Sequence, residues 1–249
     1  MNRKKKVLVM GGTEEGRSLA ERTCQKFKVF YSLAGRTTTP TLPENVQVRS
    51  GGFGGARALS HWLSKENISA VVDATHPFSK QIKENVGLAC HQQKIHRLTI
   101  TRPRWEQLPD DHWHKVFDIQ MAATTIKLHG KRAFLSVGRQ ELQQFSQLGG
   151  IELVIRSIEP PTEKSFLSGQ TYITGRGPFT VKEEIELLRA HAIDVIVTKN
   201  SGGKATYAKI AAARQLCLPV IIIERPRIPF GETVETTTAA FNWLVRKLG

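Results

Sequence analysis

The sequence has few cysteines, and those it has stand apart. Cys24, Cys90 and Cys217 are the three cysteines, and no two of them form a CxxC pair. This isolation excludes a disulfide framework and a zinc-finger site, and it indicates reduced thiols in a cytoplasmic protein. HExxH and GxSxG motifs are also missing, so metal-dependent hydrolysis and serine-hydrolase chemistry have no support. We predict no metal site.

Long apolar runs are absent too. The longest candidates, Val7–Met10 and Val220–Ile223, have the length of strands, whereas a membrane-spanning helix needs about 20 apolar residues. The basic residues at 3–6 are followed by only four apolar residues before Gly11, too few for the apolar region of a signal peptide. We therefore expect a cytoplasmic protein without a membrane partner.

Carboxylates are scarce relative to basic side chains. The 249 residues include 36 Lys and Arg but only 22 Asp and Glu, which gives a net charge of +14. Such an excess predicts an anionic partner, namely nucleic acid, an anionic membrane surface or a small polyanion. The chain carries no recognisable DNA- or RNA-binding motif, so we predict no nucleic-acid partner; a basic nucleic-acid-binding α/β protein stays open as an alternative.

Short apolar runs alternate with helical patterns along the whole chain. Strands separated by helices in this way predict an α/β fold with parallel sheets covered on both faces. The predicted strands cover residues 7–10, 28–33, 46–48, 70–74, 97–101, 133–137, 152–155, 193–198 and 220–223. The predicted helices include residues 13–25, 56–66, 76–92, 207–216 and 236–247.

Two landmark loops recur at nearly one period. Gly51 and Gly175 stand 124 positions apart, and Pro103 and Pro226 stand 123 apart. This repetition predicts two similar lobes, 1–125 and 126–249, with a ligand cleft between them at the carboxyl ends of the parallel strands. The last predicted helix is assigned to neither lobe.

The junction of the first strand and first helix is a candidate phosphate site. Free N–H groups at a helix start bind anions, and glycines let the backbone approach them. The predicted cofactor-binding residues here are Gly11, Gly12, Thr13 and Glu14. Thr13 stands where a GxGxxG motif has its middle glycine, and GG turns also occur in folds that bind nothing.

The end of the second strand bears on the choice of dinucleotide. Folds that prefer NAD place a carboxylate there, whereas an arginine accommodates the 2′-phosphate of NADP. This chain has Arg36 and nearby hydroxyls but no carboxylate, which favours NADP over NAD; a solvated turn arginine is the alternative.

Other strand ends supply further candidates for the cofactor site. The predicted cofactor contacts from these loops are Gly52, Gly54, Asp73, Ala74 and Thr75. His76 titrates near neutral pH and has the chemistry of a proton donor, although a histidine at a helix start is more often only a cap.

The second half carries a comparable set of polar residues. Lys199–Lys204 lacks the full GxxxxGK[ST] spacing, which excludes ATP hydrolysis but leaves either an anion pocket or a solvated loop. Arginines at the strand ends can pair with carboxylates, and a tryptophan offers a flat apolar surface. The predicted substrate-binding residues are Arg102, Trp105, Arg176, Ser201, Gly202, Lys204 and Arg225.

Seven short motifs in order carry a family resemblance. GGTEEGR, YSLAGRT, SGGFGG, DATHPF, RPRW, RGPF and KNSGG resemble the precorrin-6A reductase family, and the resemblance runs from Val7 to about Pro226. The resemblance implies two Rossmann-like lobes and hydride transfer from a reduced nicotinamide dinucleotide to a ring double bond of a tetrapyrrole in cobalamin biosynthesis, giving precorrin-6B. Because the first glycine loop and Arg36 lie in the first lobe, we expect that lobe to bind the dinucleotide, NADPH with NADH possible, and the second lobe to bind the substrate.

The resemblance agrees with the charge. A macrocycle with many acetate and propionate groups accounts for basic residues without a nucleic-acid motif, and hydride transfer needs neither a metal nor a covalent nucleophile. His76, Lys199 and Tyr207 are the candidate proton donors. The motifs do not distinguish a metal-free from a cobalt-loaded substrate, a monomer or small homo-oligomer is expected, and a non-catalytic NADP-binding sensor is a further alternative.

Overall fold

The described residues of this computed structural model are 4–35, 37–161, 167–227 and 231–249. They form two sheets, each of six parallel strands. In chain order the strands are β1 (Lys6–Met10), β2 (Lys28–Leu33), β3 (Gln47–Ser50), β4 (Ile68–Asp73), β5 (His96–Ile100), β6 (Trp113–Val116), β7 (Arg132–Ser136), β8 (Glu152–Ser157), β9 (Thr171–Thr174), β10 (Val195–Lys199), β11 (Val220–Ile223) and β12 (Glu232–Val234). The helices are α1 (Glu14–Thr23), α2 (Ala56–Lys65), α3 (Lys80–Gln93), α4 (Ile119–Ile126), α5 (Val181–Ala190), α6 (Ala208–Gln215) and α7 (Thr237–Leu248), with a 3-10 helix at Arg139–Phe145. The predicted α/β class with parallel sheets is confirmed.

The two sheets have the same strand order except at one edge. The first runs β12-β5-β4-β1-β2-β3, and the second runs β6-β11-β10-β7-β8-β9. The order from β5 to β3 is thus repeated from β11 to β9, as the periodic loops predict. Each sheet takes its remaining edge strand from the other half of the chain: β12 pairs with β5, and β6 pairs with β11.

This exchange divides the chain differently from the predicted ranges 1–125 and 126–249. Unit 1 comprises Met1–Pro103 with Pro226–Gly249, and unit 2 comprises Arg104–Arg225. The predicted boundary falls inside α4, which buries Ile119, Ala122 and Ile126 and packs on β6, β10 and β11 of unit 2. A division at 125/126 would therefore cut through a helix of one core.

Unit 1 has a core on each side of its sheet. On one side α1 and α7 cover the sheet, and Leu19 and Trp243 pack with Val7 and Val9 of β1. On the other side α2 and α3 pack against Leu8 and Val71. The last helix, which the sequence leaves unassigned, therefore belongs to unit 1.

Unit 2 is built around Phe134, Ile196 and Ile222, which α5 and α6 cover through residues such as Leu188 and Ile210. Local signals define several helix starts in both units: Thr13, Asp118, Thr180 and Thr236 each accept a backbone N–H of the first turn through a side-chain oxygen.

The start of α3 differs from the prediction. Helix formation begins at Lys80, not at the predicted His76-Pro77, because residues 76–79 form a separate turn closed by Ser79 N–H donating to the carbonyl of His76. None of the helices in the described part of the chain is long and apolar enough to cross a membrane.

Candidate functional site

The carboxyl ends of the parallel strands in unit 1 bring several predicted residues to one edge of the sheet. Gly11 follows β1, Ala74 follows β4 and Arg102 lies two residues beyond β5. A shallow, open recess at this edge is lined by Thr13, Glu15, Ala74, Thr75, Pro77, Ile100 and Arg102. Ligands of open α/β sheets bind at such edges.

Tyr31 of β2 supports the loop that joins β1 to α1, which is called the first loop below. The backbone N–H of Gly12 donates to the hydroxyl of Tyr31 at 3.2 Å, and a Cβ on Gly11 would lie 2.1 Å from the Tyr31 ring. Gly12 has φ +103°, and a Cβ there would meet nothing within 4 Å. The loop therefore needs glycine at 11 for packing and at 12 for conformation, and its outer face is open.

Thr13 joins the first loop to the loop after β4. Its Oγ1 accepts the N–H of Gly16 at 3.1 Å and donates to the carbonyl of Ala74 at 2.6 Å. The start of α1 is thereby fixed against β4, which orients the helix N-terminus toward the recess.

Asp73 is buried and acts within the protein. Its Oδ1 accepts hydrogen bonds from the N–H and the hydroxyl of Thr75, at 3.0 and 2.6 Å. Its Oδ2 lies 3.2 Å from Nζ of Lys83, whose side chain is only 3% exposed. Asp73 and Thr75, predicted as cofactor contacts, thus fix the shape of the loop, and Lys83 neutralises the carboxylate.

His76 caps the turn that precedes α3. Its Nδ1 accepts the N–H of Phe78 at 3.3 Å, and the two rings lie 5.8 Å apart. The imidazole is half-buried at the same edge as Gly11 and Ala74, and it stabilises this turn rather than the start of the helix, whose N-cap residue is Ser79.

Each of the two glutamates in the first turn of α1 has an arginine partner. Glu14 is exposed and pairs with Arg17 at 2.5 Å, and this pairing raises the pKa of Arg17. Glu15 pairs with Arg102 at 3.1 Å. Arg102, predicted to bind substrate, therefore stands beside the first loop of unit 1, where it offsets a carboxylate close to the candidate phosphate site.

The glycine loop after β3 is supported by an arginine that the sequence reasoning did not identify. Gly51, Gly54 and Gly55 have positive φ, and a Cβ at Gly51, Gly52 or Gly55 would meet nothing within 4 Å in the described part of the chain. Arg49 donates to the carbonyls of Gly51 and Gly52 at 2.9 and 3.3 Å. Gly52 and Gly54 thus belong to an open loop, whereas Arg36 lies outside the described residues.

In unit 2 the end of β10 carries an ion pair. Lys199 Nζ lies 2.5 Å from Oε1 of Glu141, and both side chains are largely buried. Glu141, in the 3-10 helix, also accepts the N–H of Gly138 through Oε2 at 3.0 Å. The sequence analysis did not identify Glu141. Its position in the short helix after β7, the strand next to β10, is the feature that could have indicated its proximity to Lys199.

A buried asparagine organises the loop after β10. Asn200 accepts the N–H of Trp105 at 2.9 Å, donates to the Trp105 carbonyl at 3.1 Å, and its own carbonyl accepts Nε of Arg225 at 2.7 Å. The indole N–H of Trp105 donates to Gly203 at 2.8 Å. Trp105 and Arg225, predicted as substrate contacts, are under 10% exposed and hold this loop in place.

The side chain of Tyr207 points toward Arg214, which lies near the end of α6. Its hydroxyl accepts Nη2 of Arg214 at 2.9 Å, and Arg214 pairs with Asp111 at 2.9 Å. Asp111 lies two residues before β6, at the amino edge of the sheet, whereas Lys199 ends β10 at the carboxyl edge. The structure therefore brings Lys199, Ser201, Gly202 and Lys204 together in one loop and turns the Tyr207 hydroxyl toward Arg214.

Arg176 lies two residues beyond β9, at the same edge of the sheet as Lys199. The interior of unit 2 also contains a buried cluster of charged residues, Arg156, Glu184 and Lys209, that the sequence analysis did not identify. Arg156 Nη2 contacts Oε1 of Glu184 at 2.7 Å, and its guanidinium stacks on Phe179 at 3.9 Å. Lys209 is 1% exposed and donates to the carbonyl of Thr206 at 2.7 Å. Burial and, to a smaller extent, the positive charge of Arg156 lower the pKa of Lys209 to about 7, against the opposing effect of Glu184.

Comparison with known proteins gives a consistent result. The family model described as precorrin-6x reductase CbiJ/CobK matches residues 6–245. The chain is 42% identical over 242 residues to a precorrin-6A reductase of Rhodococcus erythropolis, covering 96% of this chain and 97% of the relative. It is 25% identical over 256 residues to a cobalt-precorrin-6A reductase of Priestia megaterium, covering 97% and 98%. A solved structure described as CobK precorrin-6A reductase superposes with a TM-score of 0.91 at 36% identity, covering 98% of each chain.

Proposed function

The chain belongs to the precorrin-6x reductase family, and from that premise we propose that it reduces a ring double bond of precorrin-6A with NADPH, giving precorrin-6B in cobalamin biosynthesis. Unit 1 binds the dinucleotide and unit 2 binds the tetrapyrrole. The observation that carries the proposal is the open loop at Gly12, where a Cβ beside the start of α1 would meet no atom of the described residues within 4 Å apart from its own chain neighbours.

The residues of unit 1 fit a dinucleotide. A pyrophosphate at the first loop would meet the N-terminus of α1, where the helix dipole favours negative charge. Arg102 and Arg17 offset the two glutamates of that turn, and Gly51–Gly55 offers a second open backbone segment. When bound, the reduced nicotinamide supplies the hydride.

The metal-free form of the substrate is the better supported one. The relative named precorrin-6A reductase is 42% identical to this chain, whereas the one named cobalt-precorrin-6A reductase is 25% identical. The excess of basic residues suits a macrocycle with many carboxylates, since arginines bind carboxylates through paired hydrogen bonds.

Lys199 is the proton donor that we favour. Reducing the double bond adds a hydride to one carbon and a proton to its neighbour, so one residue must supply that proton. Lys199 lies at the carboxyl end of β10, and its ammonium group stands 2.5 Å from Glu141. Tyr207 is less suited because its hydroxyl is held by Arg214; His76, in unit 1, stays a candidate.

Oxidation of NADPH tests the proposal directly. We expect the cofactor's absorbance band to decay when metal-free precorrin-6A is added, with much slower decay for the cobalt complex and with NADH. NADPH binding without oxidation by either tetrapyrrole would support the non-catalytic sensor instead. Tight binding of DNA or RNA that weakens steeply with salt would support the nucleic-acid alternative.

A further inference from the structure

Beside the end of β2, the neighbouring strand β3 carries the half-buried guanidinium of Arg49, whose partners among the described residues are all neutral. Arg49 pairs in register with Ser32, and its Nη1 donates to the Ser32 hydroxyl at 2.8 Å. Its other acceptors are the carbonyls of Gly51 and Gly52. Among the ion pairs of the described residues none includes Arg49. Burial lowers the pKa of Arg49 because desolvation disfavours the charged form.

The orientation of this guanidinium is fixed by an aromatic ring. The Arg49 guanidinium carbon lies 3.7 Å from the centroid of the Phe53 ring, which is the stacked geometry that arginine adopts on aromatic faces. Stacking occupies one face of the plane and leaves its edge for hydrogen bonds. The group has more N–H donors than its three acceptors use.

Ser32 occupies the place that decides between the two nicotinamide dinucleotides. It stands 20 positions after Gly12, near the carboxyl end of β2. A carboxylate about there binds the ribose 2′-hydroxyl of NAD, whereas a nearby arginine accommodates the 2′-phosphate of NADP. Here the residue is a serine, and the cation beside it comes from the neighbouring strand.

We propose that Arg49, with the Ser32 hydroxyl, binds the 2′-phosphate and sets the preference for NADPH over NADH. The inference rests on the proposed function and adds a specificity residue to it. A phosphate dianion at the edge of the guanidinium gives charge-assisted hydrogen bonds to a cation whose acceptors among the described residues are neutral. The sequence predicts only Arg36 for this role, whereas Arg49 has a described geometry that suits it.

Equilibrium binding tests the proposal without any tetrapyrrole. Dissociation constants are measured for NADPH, NADH, 2′-phospho-ADP-ribose and ADP-ribose with wild type and Arg49→Gln. We expect the variant to bind both phosphorylated ligands about 10- to 100-fold more weakly and to change the other two by less than about threefold. Arg22→Gln is the matched control, because Arg22 also stacks on a phenylalanine and bonds a threonine hydroxyl, but near the end of α1 distant from the recess.

A purely structural role for Arg49 predicts a different pattern. If Arg49 only supports the carbonyls of Gly51 and Gly52, its loss weakens all four ligands equally, and that result overturns the proposal. Unchanged affinities overturn it as well.

A second variant, at Ser32, tests the same proposal. Ser32→Asp places a carboxylate beside Arg49 and is expected to reverse the preference toward NADH, with thermal unfolding checking that the fold is kept. An undiminished preference for NADPH in this variant contradicts the proposal. If wild type binds neither dinucleotide, the proposed function fails; if it prefers NADPH and Arg49→Gln keeps that preference, only the role of Arg49 fails.

Discussion

Many polar side chains at the strand ends interact with the protein itself rather than pointing to open space. Trp105, Asn200 and Arg225 form one hydrogen-bonded set that shapes the loop after β10. Asp73 and Lys83 do the same for the loop after β4. Since these side chains hold the loops, their loss affects ligands through loop position, whereas Lys199 and Arg49 stand where a ligand is expected.

Lys199→Ala tests the proton-donor assignment. We expect kcat/KM for the tetrapyrrole to fall about 10²- to 10⁴-fold, the usual contribution of a general acid, while the dissociation constant of NADPH stays nearly unchanged. Steady-state kinetics and cofactor titration measure the two quantities. Lys182→Ala is the control, since Lys182 is an exposed lysine with a glutamate partner at 4.0 Å. Loss of NADPH binding with Lys199 would reverse the assignment of cofactor and substrate to the two units.

Lys209 predicts a pH-dependent stability. Its pKa is about 7 in the folded protein, against 10.5 for an ordinary lysine, so between these values the unfolded chain binds a proton that the folded chain lacks. Stability from this group therefore rises as pH increases from 7 to 10.5. Lys209→Met removes this dependence, and its free energy of unfolding relative to wild type should fall by a few kcal/mol (order of magnitude) between pH 7 and pH 10.

Denaturant unfolding of both proteins at the two pH values measures this difference. The lost hydrogen bond to Thr206 lowers stability equally at both pH values and so cancels. Lys182→Met, at an exposed position, is expected to show no such pH dependence. A constant difference between wild type and Lys209→Met would contradict the pKa direction.

At the scale of loops and helices, the junction of β1 and α1 depends on backbone conformation. Gly12→Val places a β-branched residue at φ +103°, which costs about 1–3 kcal/mol of stability, and its side chain would stand in the open space beside the helix start. We expect NADPH binding to be abolished in a folded protein. Gly150→Val is the matched control, with φ +76° and equally open surroundings; it should lose similar stability yet bind NADPH normally. Unaltered binding by Gly12→Val would move the cofactor elsewhere.

Elements buried on both faces could be predicted from the sequence, and short edge elements could not. β1 is predicted within one residue because a buried parallel strand is a continuous apolar run. β6, with the sequence WHKV, and β12, with ETV, carry little such signal. The burial of Lys83 could have been predicted from its spacing, because it lies on the inner face of α3 with Val86 and Cys90. Glu141 and Arg49 are recognised only through the residues that they contact in the folded structure.

For the whole molecule, the repeated period predicts two similar sheets but not the exchange of edge strands. Repetition along the chain does not define which sheet a strand joins, and β12 pairs with β5 after the entire second unit has intervened. In unit 1, Ala240, Trp243 and Leu244 of α7 are buried in the same core as Val7 of β1. Residues 226–249 are therefore part of the dinucleotide-binding unit that we propose.

Truncation after Arg225 tests this dependence. Losing Trp243 alone should cost about 3–5 kcal/mol, and the truncation removes the whole of α7, so unit 1 should lose its cooperative fold and NADPH binding. Hydrogen exchange should show β1 and β4 unprotected, while β7 and β10 of unit 2 keep their protection. Adding a peptide of residues 226–249 is the control and should restore protection in β1. Protected β1 and β4 amides in the truncated chain would contradict this account.

The distant origin of β12 and α7 also has a consequence for the chain as it leaves the ribosome. Unit 2 is the continuous segment Arg104–Arg225, and its synthesis separates the two parts of unit 1. Unit 1 begins to emerge first but waits for its edge strand and for the helix that covers one of its cores. At ordinary elongation rates this interval lasts on the order of ten seconds, during which the apolar face of β1 and β4 is exposed to chaperones. The half of the enzyme that is made first is thus the half that is finished last.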